Sequence, residues 1–137
     1  MTQASPSDPR AHFGELLYAA LKNVVPDHVG ISIVLERPKL AQHGDYACNV
    51  ALQLAKALKR PPRDVAAQLI AALPASPCLE KAEIAGAGFI NLFLKRSFKQ
   101  ELVNRILRAG QDYGKNALGG KKKVQIEFVS ANPTGPL

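Results

Sequence analysis

Residues 81–94 have the sequence KAEIAGAGFINLFL, in which two short β-prone runs flank a glycine-rich turn. Glycine adopts the backbone conformations that tight turns require, and alternating runs around such a turn are typical of paired strands. We predict a β-hairpin with strands at 81–85 and 89–94. Because side chains alternate between the faces of a strand, one face of the second strand is aliphatic. The other face carries two aromatic rings around one amide, namely Phe89, Asn91 and Phe93.

Outside the hairpin, apolar residues recur at helical spacing in four segments. These predict helices that begin near Pro9, Tyr46, Pro62 and Ser97. Asp8 is placed to cap the first helix, and Ser97 with Gln100 has the spacing of a capping box at the fourth. The predicted buried side of the fourth helix consists of Phe98, Leu102, Val103, Ile106 and Leu107. Gly110 is predicted to end that helix.

Two more segments are predicted strands. In one, Ile31, Ile33 and Leu35 alternate with Ser32, Val34 and Glu36, the pattern of a half-buried strand. In the other, residues 124–129 (VQIEFV) are β-prone and run into SANPTGPL. Together the elements predict an α+β fold over residues 1–110, with a small, mostly antiparallel sheet covered on one face by helices. A basic, glycine-containing linker is predicted at 111–123, and residues 124–137 are predicted to start a second domain.

The composition excludes several classes of protein. With 47% apolar and 21% charged residues the chain is predicted to be globular, and no apolar run approaches the roughly 20 residues that span a bilayer. Cys48 and Cys78 lack metal or redox spacing, so we expect free thiols in a reducing cytosol, with a disulfide between them disfavoured. His12, His28 and His43 are scattered, which predicts no metal site. No catalytic set is predicted within residues 1–123.

The net charge of +7 favours an acidic partner such as nucleic acid. Nine of the 18 Lys and Arg residues lie between Lys95 and Lys123. By itself, this clustering is better explained by a solvated helix face and a soluble linker. In the segment 43–46 (HGDY), Gly44 in a turn followed by Asp45 as a helix cap is the ordinary interpretation.

Two groups of residues could bind a ligand. An aromatic ring such as Phe89 can stack on an unpaired base while Asn91 bonds the base edge, although strand aromatics are more often buried in a core. Pattern alone favours the core interpretation for Phe89 and Phe93. Ser130 and Asn132 follow the predicted strand 124–129, where open parallel sheets bind ligands. An ordinary Asx/Pro turn is the alternative, and spacing alone does not decide between them.

Three segments of the chain carry a family resemblance. Residues 126–137, IEFVSANPTGPL, closely resemble the arginyl-tRNA synthetase segment that leads into the class I His-x-Gly-His signature. Residues 43–47 (HGDYA) and 83–91 (EIAGAGFIN) resemble two marker stretches of the N-terminal additional domain of that family. The segments occur in the family's order over nearly the whole chain.

The resemblance implies ATP-dependent activation of arginine, with Mg²⁺, and its transfer to tRNA(Arg) by a cytoplasmic, monomeric class I ligase without membrane association. It implies that the N-terminal domain reads the tRNA D-loop, with Phe89 stacking on a base and Asn91 contacting its edge, and it leaves Phe93 as a further candidate. Ser130 and Asn132 are implied in the arginine pocket. The first part of the signature segment is implied at Ala131, Asn132, Pro133, Thr134, Gly135, Pro136 and Leu137.

Two departures from the family pattern matter. The chain stops at Leu137, before the expected histidines, so we expect only the first strand of a Rossmann-type catalytic domain and no arginine activation by these 137 residues. Ala87 stands where family members often carry proline, which predicts a somewhat less rigid turn. The alternative function is a small-molecule-sensing or protein-interaction α+β domain, for which we expect a closed apolar pocket beside Asn91.

Overall fold

The computed structural model describes residues 8–26, 30–115, 117 and 119–126. The helices are α1 (Pro9–Val24), α2 (Val50–Leu58), α3 (Pro62–Ala71) and α4 (Arg96–Ala109). The strands are β1 (Leu35–Glu36), β2 (Tyr46–Cys48), β3 (Leu79–Ala85) and β4 (Phe89–Leu94). Short 3-10 turns lie at Ala41–His43 and Gly110–Asp112.

The four strands form one antiparallel sheet in the order β1-β2-β4-β3. Strand β4 is central and pairs with both β2 and β3. Helices α1 to α3 and one face of the sheet enclose the core, whose largest fully buried side chains include Phe13, Leu17, Leu54, Leu69 and Leu92. This architecture confirms the predicted α+β fold with helices on one face of a small sheet.

The hairpin of β3 and β4 forms as predicted, with β3 beginning two residues earlier, at Leu79. Its aliphatic face is buried, and Ile90 and Leu92 are at most 1% exposed. Gly88 lies at φ +145°, and a Cβ there would stand 2.7 Å from the Cβ of Pro62. The hairpin turn therefore packs directly against the start of α3, which leaves no room for a side chain at residue 88.

Helix α1 also follows the sequence prediction. The Asp8 carboxylate accepts a hydrogen bond from the backbone N–H of Arg10 at 2.9 Å, and Pro9 occupies the first turn. Such a cap stabilises a helix because it satisfies an N–H that has no partner inside the helix. The apolar stripe of α1 is buried as its spacing predicts, with Phe13 and Leu21 at 0% exposure.

The prediction of a helix from Tyr46 is wrong, because residues 46–48 form strand β2 and α2 begins only at Val50. Tyr46 pairs with Leu92 of β4, and its ring meets the Phe13 ring edge-on, with 5.7 Å between centroids. Pairing with the central strand on one side and β1 on the other outweighs local helical spacing.

The strand predicted at 31–35 is much shorter, since only Leu35 and Glu36 pair with β2. The predicted alternation is nevertheless present, because Ile31 and Ile33 pack partly against the core while Ser32 and Val34 are exposed. The segment is thus half-buried, as the pattern indicates, without the hydrogen bonds of a strand.

Helix α4 departs from its prediction at both its start and its packing. It begins at Arg96 rather than Ser97, and no side chain caps it within the described residues. Of its predicted buried side only Phe98 is buried, at 4% exposure, whereas Val103 and Leu107 are 54% and 72% exposed. Helical spacing correctly locates the apolar stripe, but in the described residues nothing packs over most of it. Gly110 ends the helix as predicted, at φ +53°.

Beyond the linker, the described residues 124–126 belong to no strand, and Val124 and Ile126 are both 77% exposed. The first half of the strand predicted at 124–129 is therefore not a strand. Residues 127–129 lie outside the described part of the chain. The start of a Rossmann-type domain and the boundaries of the predicted domains stay predictions.

Both cysteines are free and buried. In the part of the chain that the structure describes, no three His, Cys, Asp or Glu side chains converge in a way that could hold a metal ion. None of the helices described is long and apolar enough to cross a membrane.

Candidate nucleic-acid interface

The face of the sheet opposite the helices carries the residues singled out in the sequence, and we call it the open face. Strand registers place its members side by side: Glu36 on β1, Ala47 on β2, Lys81, Glu83 and Ala85 on β3, and Phe89, Asn91 and Phe93 on β4. Because β4 is central, its three side chains run down the middle of this face. The predicted grouping of Phe89, Asn91 and Phe93 on one side of the strand is therefore correct.

Phe89 projects from the end of β4 next to the hairpin turn and is 42% exposed. Across the ladder its neighbour is the small Ala85. Within the described residues no other ring and no cation contacts the Phe89 ring. A partly exposed ring on a sheet, with no other ring or cation against it in the described residues, suits the stacking of an unpaired base.

Asn91 is largely buried, with only 5% of its surface exposed. It lies between Ala47 of β2 and Glu83 of β3 in the register of the sheet. In the described residues its side-chain amide makes no hydrogen bond. Among the described residues no fully buried side-chain nitrogen or oxygen lacks a partner, so the amide atoms of Asn91 keep some contact with solvent. The amide thus lies in a largely buried position with its hydrogen-bonding capacity unused by the described residues.

Phe93 is less accessible than Phe89. The Lys81 ammonium lies 4.4 Å from the centroid of the Phe93 ring, and the same ammonium pairs with Glu83 at 2.6 Å. A Cβ on Gly44 would stand 3.3 Å from Cε2 of the ring, so the backbone of residue 44 borders it closely. Lys81 and residue 44 therefore cover part of the Phe93 ring, whereas in the described residues neither a cation nor another ring covers Phe89.

Asp45 anchors the far end of β4 and does not cap a helix as predicted. One carboxylate oxygen accepts a hydrogen bond from the backbone N–H of Leu94 at 2.8 Å, and the other lies 2.8 Å from the Lys99 ammonium of α4. The Asp45 N–H in turn donates to the carbonyl of Leu92 at 2.9 Å. Sequence reasoning missed this role because the partner Leu94 is 49 residues away along the chain.

Gly44 makes that arrangement possible. It lies at φ +86°, and a Cβ there would stand 2.7 Å from the carbonyl oxygen of Leu92. Only glycine combines this conformation with so close an approach. The HGDY segment therefore supports the strand that carries the open-face residues.

None of four depressions in the described part of the chain is a closed pocket beside Asn91. Four depressions in the described residues are lined by α1, by residues 31–38, or by residues 44–46 with Leu94. Neither Phe89 nor Asn91 lines any of them. The geometry does not match the small-molecule sensor, for which a closed apolar pocket beside Asn91 is expected.

The residues predicted for the arginine pocket and the signature segment cannot be placed. Ser130, Asn132 and the whole of 131–137 lie outside the described residues. Their roles stay predictions.

Comparisons with known proteins bear on the whole chain. Residues 11–94 match the family described as arginyl tRNA synthetase N terminal domain. The arginine–tRNA ligase of Nitrosomonas europaea is 54% identical over 130 residues, which cover 95% of this chain and 22% of that protein. The arginine–tRNA ligase of an Azoarcus species is 56% identical over 133 residues, covering 96% and 22% respectively. The chain thus spans about a fifth of the length of these curated relatives.

Solved structures agree with the sequence relatives. The arginyl-tRNA synthetase of Thermus thermophilus is similar at a TM-score of 0.59 and 28% identity, over 74% of this chain and 16% of that one. That of Plasmodium falciparum gives a TM-score of 0.64 over 76% of this chain and 19% of the other, and at 13% identity it supports the fold alone. The comparisons do not favour a sensor or protein-interaction domain.

Proposed function

Because the chain belongs to the arginyl-tRNA synthetase family, we propose that it serves arginine–tRNA ligation, the ATP-dependent attachment of arginine to tRNA(Arg). Its partners in that reaction are tRNA(Arg), arginine and ATP with Mg²⁺, and it acts in the cytoplasm as a monomer. The high identity to arginine–tRNA ligases over nearly the whole chain supports the activity. We assign no described residue to arginine, ATP or Mg²⁺. The described residues contribute RNA binding.

We propose that the open face binds an unpaired nucleotide of the tRNA D-loop. The observation that carries this proposal is the pairing of an exposed ring, Phe89, with an amide two residues further along β4, Asn91, whose hydrogen bonds are unused. The ring stacks on the base, and the amide donates to and accepts from the base edge. Phe93 lies on the same face, with the Lys81 ammonium over its ring, and contributes packing more than direct contact.

Asn91 also fits a binding role better than a structural one. A largely buried amide without a protein partner adds no hydrogen bond to the fold, and an apolar residue of similar size is tolerated at such a position. We therefore expect Asn91→Leu to keep or slightly raise the thermal stability while it weakens tRNA binding. A purely structural Asn91 predicts the opposite pattern, with a lower melting temperature and unchanged binding.

Binding of an arginine tRNA to the 137-residue chain and to two variants tests the proposal. Phe89→Ala removes the stacking surface and is expected to cost about 1–3 kcal/mol, or roughly 5- to 150-fold in Kd. Tyr18→Ala is the matched control, because Tyr18 is 47% exposed and lies on α1, behind the sheet. It is expected to leave the Kd unchanged. Equal effects of the two variants would show that the open face does not bind the tRNA.

A further inference from the structure

The charged residues bordering the open face differ in whether their charge is already neutralised. Lys81 pairs with Glu83 at 2.6 Å, and Lys99 pairs with Asp45 at 2.8 Å. Arg63, by contrast, is exposed and makes no ion pair in the described residues, even with its neighbour Asp64. Arg63 therefore has a full positive charge to offer a ligand.

Arg63 is held beside the hairpin turn. Its Nη1 donates to the carbonyl oxygen of Gly86 at 2.6 Å, and the preceding Pro62 packs against Gly88. Phe89 follows Gly88 directly, so the guanidinium and the exposed ring belong to one rigid corner. A guanidinium has five N–H donors, and the bond to Gly86 uses one of them. The remaining donors can form the paired hydrogen bonds that arginine makes with phosphate.

The middle of the open face is unsuited to phosphate. Glu36 and Glu83 place carboxylates at the level of Asn91 on either side of it. At the other end of β4, Lys95 and Arg96 are exposed, but six strand residues at about 3.3 Å each put Lys95 roughly 20 Å from Phe89. A base and its own phosphate are separated by one sugar, so that end is too far to serve a nucleotide stacked on Phe89.

We propose that Arg63 binds the phosphate of the nucleotide whose base stacks on Phe89. The RNA backbone then passes over the hairpin turn, and the base extends from there across the open face towards Asn91. This inference rests on the proposed function and assigns the phosphate end of the same site. It makes Arg63 a binding residue that acts together with Phe89, and not merely part of the general positive charge of the chain.

The test measures binding of an arginine tRNA as a function of salt for Arg63→Gln and for Arg96→Gln, each alone and combined with Phe89→Ala. Arg63→Gln is expected to lower the slope of log K against log salt by about 0.7 to 0.9, the value for one phosphate contact. Arg63→Gln weakens tRNA binding by some factor in the wild-type background. In the Phe89→Ala background that factor is expected to be smaller by about two-fold or more, because the two residues hold one nucleotide. Arg63→Lys keeps the charge and is expected to keep the slope.

Arg96→Gln is the matched control for loss of one exposed arginine charge. Arg96→Gln is expected to weaken tRNA binding by the same factor with and without Phe89. If Arg63→Gln leaves the slope unchanged, or loses affinity equally in both backgrounds, Arg63 does not bind that phosphate, while a strong effect of Phe89→Ala alone still upholds the proposed function. If Phe89→Ala is also silent, both proposals fall.

Discussion

The bond network of Asp45 gives the sharpest prediction about stability. Its carboxylate is only 26% exposed, so the hydrogen bond from the Leu94 N–H is shielded, and a bond to a charged acceptor is worth about 1.5–3 kcal/mol. Its partner Lys99 is 50% exposed, so that ion pair contributes at most about 1 kcal/mol. Asp45→Ala loses both contributions and leaves the Leu94 N–H without its acceptor. We expect a destabilisation of about 2–4 kcal/mol.

Thermal unfolding followed by circular dichroism measures this effect. For a domain of this size each kcal/mol lowers Tm by about 4–8 °C, so Asp45→Ala is expected to lower Tm by about 10 °C or more. Asp45→Asn keeps an acceptor for Leu94 and is expected to lose about half as much. Lys99→Gln removes only the ion pair, and its small loss is expected to vanish at high salt. If Asp45→Ala is no worse than Lys99→Gln, the anchoring of β4 by the carboxylate is refuted.

Two further predictions concern the core and α4. Burial raises the pKa of the Cys48 thiol above its ordinary value of 9.0, so at higher pH the unfolded chain loses a proton that the folded chain keeps, and stability falls. Urea unfolding measures the free energy of unfolding at about pH 7 and pH 10. Its decrease between these pH values is expected to be smaller for Cys48→Ala than for the wild type, and equal decreases would contradict a role of the Cys48 thiol. Leu107→Ser, at a side chain 72% exposed, is expected to change stability by no more than about 0.5 kcal/mol, whereas the buried Leu17→Ala is expected to cost about 2–5 kcal/mol. Similar losses in both would mean that Leu107 packs against the core.

Local chemistry accounts for the elements that the sequence predicts well. The hairpin depends on a turn and two flanking runs within 16 residues, Leu79–Leu94, and α1 depends on Asp8, Pro9 and a regular apolar stripe. Each of these signals acts between neighbours in the chain. Pairing between distant segments leaves a weaker trace. Strand β2 has only three residues, and its apolar positions also fit the spacing of the following helix.

In the candidate site, too, some features follow from local sequence and others depend on pairing between distant segments. Alternation along β4 is enough to place Phe89, Asn91 and Phe93 on one face. Their accessibility depends on neighbours that only the folded sheet brings together. Lys81 covers Phe93 through pairing of β3 with β4, and Asn91 is buried because β4 is central. Likewise, periodicity in α4 identifies an apolar stripe but cannot say whether another element packs on it.

Footprinting of an arginine tRNA tests the central claim most directly. Hydroxyl-radical cleavage is measured with the wild-type chain and with Phe89→Ala, at protein concentrations that saturate each. The wild type is expected to protect unpaired D-loop nucleotides, and Phe89→Ala is expected to lose protection at those nucleotides. Protection confined to other parts of the tRNA, or D-loop protection that Phe89→Ala leaves intact, would contradict it.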